Sequence, residues 1–63
     1  MYNLKAVRTA KKMSQDELSA KSGVSRAIIW RLENEKEEYA TTTSTLRSLA
    51  AALNVPVSEI FLG

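Results

Sequence analysis

Between Ser14 and Ser25 the sequence leaves the backbone little freedom. Ser14-Gln15-Asp16-Glu17 places a serine and a glutamate at the spacing of a reciprocal helix cap. The serine hydroxyl accepts from the glutamate amide, and the glutamate carboxylate reaches back to the serine amide. Asp16 and Glu17 also bring negative charge to the positive end of the helix dipole. Gly23 takes a left-handed backbone without the penalty a Cβ would carry, so it stops that helix and turns the chain. Ser25 is a good N-cap for a second helix. The spacing therefore predicts one helix over about Ser14–Lys21 and another from Ser25 to about Asn34, joined by a tight turn and crossing steeply.

Such a crossing makes specific demands on side chains. Leu18, Val24, Ile29 and Leu32 must be apolar to fill the wedge between the helices, Ser19 must be small where the second helix passes over it, and Gly23 must tolerate positive φ. All six demands are met at the right offsets. Ser22 is the exception, in a slot that is normally apolar. The unit is a helix-turn-helix.

The rest of the chain reads as three more helices and no strand. Leu4, Val7 and the stem of Arg8 form one stripe of a helix over roughly Asn3–Lys12. Leu46, Leu49, Ala50 and Leu53 do the same over about Thr43–Leu53, with Asn54 as a left-handed terminator and Pro56 at the first position of a short fifth helix presenting Val57, Ile60 and Phe61. The acidic, Thr-rich stretch 35–42 lacks a clean period and reads as a loop. The expected fold is all-α, five helices in one domain over residues 1–63. A chain of 63 residues buries only about 60% of its unfolded surface, and with no Cys and no His it has neither disulfides nor a plausible structural zinc site. Helix packing, helped by a second subunit, has to supply the stability.

The same inventory excludes most chemistry. There is no His or Cys for nucleophile or base work and, with Gly23 and Gly63 as the only glycines, no phosphate-cradling loop, so no enzyme, cofactor or metal is expected. No apolar run approaches the roughly 18 residues of a membrane span, and the N-terminus has no signal-peptide core, so the expected location is cytoplasmic. Charge is unevenly distributed. Residues 1–31 carry seven basic side chains against two acidic ones, and residues 32–63 carry two against five. One basic half suits a polyanion bound on one side.

The pieces Leu4-Lys5-Ala6-Val7-Arg8, Met13-Ser14-Gln15-Asp16-Glu17-Leu18, Gly23-Val24-Ser25, Ile29-Trp30-Arg31-Leu32-Glu33-Asn34 and the run from Leu46 to Val55 resemble, in order and over nearly the whole chain, the phage Cro and repressor family, also called the xenobiotic-response-element family. The resemblance implies a five-helix, lambda-repressor-like bundle that binds double-stranded operator DNA, usually as a two-fold dimer. It implies that Gln15 contacts phosphate at the start of its helix, where free amides favour anions, and that Arg8 and Glu33 form an ion pair. A second phosphate clamp would fall to Lys36, Thr41, Thr42, Thr43 and Arg47. There the sequence departs from the family: Glu35 stands where a Gly often follows Glu-Asn, Glu37 and Glu38 are acidic where the family is often basic, and the loop is about three residues longer than in the shortest members.

Within the helix from Ser25, Ile29 and Leu32 define the buried side, and at 100° per residue Ala27 and Arg31 point outward, flanked by Ile28 and Trp30. Arg26 and Arg31 can each fork onto a guanine edge, Ala27 and Ile28 can meet a thymine methyl, and Ser25 can reach a phosphate or base. Trp30 either packs on the chain itself or meets a partner. Val57, Ile60 and Phe61 divide between core and a dimer seam. The expected mechanism is a dimer on an inverted repeat that blocks or positions RNA polymerase, with no small-molecule ligand evident. A different class of function stays open: a protein-interaction module of antitoxin or anti-repressor type on the same scaffold, docking through Ile28 and Trp30.

Overall fold

The structure, a computed structural model, describes residues 2–34 and 41–61. The described residues contain five helices in the order α1 (Leu4–Ala10), α2 (Gln15–Ser22), α3 (Arg26–Asn34), α4 (Thr43–Leu53) and α5 (Val57–Ile60). None of them is long and apolar enough to cross a membrane. The loop expected after Asn34 falls mostly outside the described residues.

The caps form as the residues dictate. Ser14 Oγ accepts from the Glu17 amide at 3.0 Å and Glu17 Oε1 accepts from the Ser14 amide at 3.3 Å. Gly23 ends α2 at φ 75°, and a Cβ there would meet nothing within 4 Å, so the backbone conformation alone demands glycine. Asn54 ends α4 in the left-handed region, at φ 58°. The α4 N-cap is Thr42, whose hydroxyl oxygen accepts from the Thr45 amide at 3.1 Å.

Two boundaries differ from expectation. α1 stops at Ala10 because Lys12 takes φ 55°, with its amide donating to Thr9 O at 2.9 Å and the Met13 amide donating to Arg8 O at 3.2 Å. Pro56 is the N-cap of α5, with ψ 157°, and Val57 opens the helix. An extended proline still accepts the first helical hydrogen bonds, here from Glu59 N at 3.0 Å.

The core is one cluster: Leu4, Leu18, Val24, Ile29, Leu32, Leu46, Leu49, Ala50, Leu53 and Ile60. α2 packs against both α3 and α4, α4 against α5, and α1 against α3 and α5. The ends of the described chain meet. Asn3 donates its amide to Ile60 O at 2.8 Å, Tyr2 and Phe61 form an isolated antiparallel bridge, and their rings sit 5.3 Å apart. The short α5 is thus held from two sides, by α4 and by the segment leading into α1.

Candidate nucleic-acid interface

Hydrogen bonds within the unit satisfy the Gly23 and Val24 amides and the Val24 carbonyl of the turn between α2 and α3. Ser19 donates its hydroxyl to Val24 O at 2.7 Å, and Ser22 Oγ accepts from the Val24 amide at 3.1 Å. The serine in a normally apolar slot therefore has a role: it supplies the acceptor that a buried turn amide needs. Ser25 caps α3 by accepting from the Ile28 amide at 3.3 Å.

Behind this unit lies a network on Glu33. Arg8 grips the Glu33 carboxylate with two parallel bonds, Nε to Oε2 at 2.7 Å and Nη2 to Oε1 at 2.9 Å, while its Nη1 donates to Met13 O at 2.7 Å. Gln15 Nε2 donates to Glu33 Oε1 at 3.0 Å. The Glu33 side chain is 1% exposed and that of Arg8 11%, so the pair works in a medium where charge-assisted bonds are strong. The hydrogen bond to Glu33 outweighs the opposing effect of burial and holds the Arg8 pKa above its ordinary value, with the charge of Glu33 adding to it. The network ties α1 to the last turn of α3 and to the first residue of α2. It also orients Gln15: one amide hydrogen goes to Glu33, and the other is left for a further acceptor.

On α3, Ile29 and Leu32 are fully turned inward, and Arg26, Ala27, Trp30, Arg31 and Asn34 are exposed. Arg26 Nη1 lies 3.3 Å from Asp16 Oδ1, a solvent-exposed pair of the kind that contributes little to stability and yields readily to a better anion. Ile28 is only half exposed. It packs against the core, so this expected base contact sits at the margin of the outward face.

The second expected clamp is spread along the start of α4. Thr42 and Thr43 are exposed at its N-terminus, Arg47 is exposed one turn on, and Thr41 is half-buried. Thr42 already serves as the cap and shares a 2.9 Å hydroxyl contact with Thr45. Lys36 lies outside the described residues.

Of the three side chains read as a dimer seam, Ile60 is 1% exposed and belongs wholly to this chain's own core, because α5 is too short to bury anything else beneath α1 and α4. Phe61 is half-buried against Tyr2, and Val57 is half-buried on the core. The Tyr2–Phe61 contact was not foreseen. A lone aromatic at each end of a chain carries no periodic signal, and only the closure of the bundle brings the two together.

A capped helix, a glycine turn and a second helix with one buried and one polar face, braced by a buried ion pair, define a helix-turn-helix protein. The Helix-turn-helix family pattern matches residues 4–60, and the chain belongs to that family in its Cro and repressor type. It is also similar to the immunity repressor protein of Bacillus phage phi105, with 35% identity over 57 residues. The matched segment covers 90% of this chain and 38% of that relative, so the chain corresponds to well under half of the phage protein's length.

Proposed function

We propose that this chain is a sequence-specific DNA-binding repressor that reads an inverted-repeat operator by laying α3 in the major groove. The observation that carries the reading is the outward face of α3. Arg26 and Arg31 are exposed on either side of Ala27, opposite buried Ile29 and Leu32, on a helix whose orientation is fixed by Glu33. The two guanidinium groups supply bidentate donors for guanine O6 and N7, Ala27 offers a thymine methyl an apolar neighbour, and Ser25 reaches the groove's rim. Gln15 at the N-terminus of α2 positions one phosphate. Thr42, Thr43 and Arg47 at the start of α4, with Thr41 and Lys36 before them, position another. The name of the phage relative supports a repressor, and such a protein works in the cytoplasm. Dimer formation through Val57 and Phe61 would set two copies of α3 about 34 Å apart, one turn of duplex, and exclude RNA polymerase from the site.

Selection of bound duplexes from a random pool, repeated at two salt concentrations, tests this reading. The expected result is an enriched inverted repeat whose log affinity falls with log salt by about 0.9 per neutralised phosphate. A pool without enrichment at either salt would overturn it.

A further inference from the structure

Trp30 is 53% exposed, the one exposed large apolar side chain among the described residues, and the reading above gives it no part. Its surroundings identify what it meets. Ile28 does not join it in a docking patch, because two residues along a helix turn the direction by 200° and Ile28 packs against the core. A protein partner that docks by apolar contact needs a contiguous patch, and the described residues offer a single exposed ring. On its own side of α3, Trp30 lies between Arg26, one turn before, and Glu33, one turn after. Arg26 bonds Asp16 and Glu33 bonds Gln15, the first two residues of α2. The side of α3 that carries Trp30 therefore borders the N-terminal turn of α2, with exposed Arg26 and Arg31 on the same helix. A flat apolar ring on the helix that also presents the exposed guanidinium groups of Arg26 and Arg31 suits a polyanion whose backbone has apolar sugar faces.

We propose that Trp30 packs its indole against the deoxyribose of the strand whose phosphate sits at Gln15, a sequence-independent contact bordering the base-reading side chains. It rests on the DNA-binding reading and adds a residue to it.

Trp30 is the chain's single tryptophan, so its emission reports this position alone. Adding the selected duplex, or a scrambled one at low salt, is expected to shift that emission and to cut quenching by acrylamide severalfold. Trp30→Ala is expected to weaken selected and scrambled duplexes alike, by about tenfold. The log–log salt slope stays unchanged, because a neutral side chain displaces no counterion. Trp30→Phe keeps the affinity within about threefold, since the ring face remains. Melting of the Ala variant is expected to match the parent, as the site is exposed and Ala favours the helix.

Unchanged quenching on a bound duplex overturns the proposal. So does parental affinity in the Ala variant, or a loss confined to the selected sequence, which would make Trp30 a base reader. If the parent chain binds no duplex at all, the functional reading fails first and this contact falls with it. Unchanged binding by the Ala variant on a parent that does bind strikes the Trp30 contact alone.

Discussion

Glu33 does more than any other single side chain here. It is acidic, buried, and on the helix proposed to approach a polyanion, a combination that is unfavourable unless a cation neutralises it. Arg8 does so with two bonds and Gln15 with a third. Removing one member of a buried pair strands the other, so Arg8→Met is expected to cost about 3 kcal/mol in urea unfolding, a large share of what so small a chain possesses. The double variant Arg8→Met/Glu33→Leu is expected to recover much of that, because it buries no charge. The raised pKa of Arg8 has a defined pH consequence. A group whose pKa rises on folding contributes stability that is complete below its unfolded value and disappears as pH climbs through the folded value. For a guanidinium that window lies in strong alkali, so the brace is constant across neutral pH.

On the proposed reading, the exposed polar side chains separate by what they contact. Arg31→Ala is expected to cost about 1–3 kcal/mol on the selected duplex and to relax preference at one base pair. Gln15→Ala is expected to weaken all duplexes alike. Affinities for a panel of single-base variants distinguish the two, and a uniform loss in Arg31→Ala would remove it from the base-reading set.

The helices differ in how well their ends are made. α2 has a complete capping box and a glycine stop, and α4 has a threonine cap and an asparagine stop. α1 has neither. Asn3 turns its side chain away to Glu59 O, and the chain leaves the helix through Lys12 at φ 55°. A lysine in that region carries a steric cost that glycine lacks. Lys12→Gly is expected to stabilise the fold by about 1 kcal/mol after allowing for the greater freedom of glycine in the unfolded chain, raising the melting temperature by several degrees. α1 is held instead by what it touches, namely α5 through Asn3 and α3 through Arg8. Its integrity therefore depends on the folded whole, while α2 carries its own stop and start signals.

Considered as a whole, the molecule is a closed arrangement in which the first and last described segments pair. The bridge of Tyr2 with Phe61 and the bond from Asn3 to Ile60 O clamp α5, a single helical turn, over the core. Helix packing, with no cysteine available for a covalent staple, sets the stability. Tyr2→Ala is expected to cost about 1 kcal/mol and to accelerate hydrogen exchange at the Asn3 amide more than at the amides of α2. Equal acceleration at both would mean that the ends open only when everything does.

The buried positions of α2, α3 and α4 were legible before folding, as were the glycine stop and the serine cap. These depend on hydrogen bonds and periodicities that act within a few residues. The pairing of Arg8 with Glu33 was accessible through family resemblance, because no local rule connects residues 25 positions apart. Nothing in the residue order assigned Ile60 to the core while leaving Phe61 to Tyr2, set Asp16 against Arg26, or separated Ile28 from Trp30 into a packed side chain and an exposed one. Those outcomes depend on the angles at which helices cross and on which flank each leaves uncovered, and both are set when the core closes.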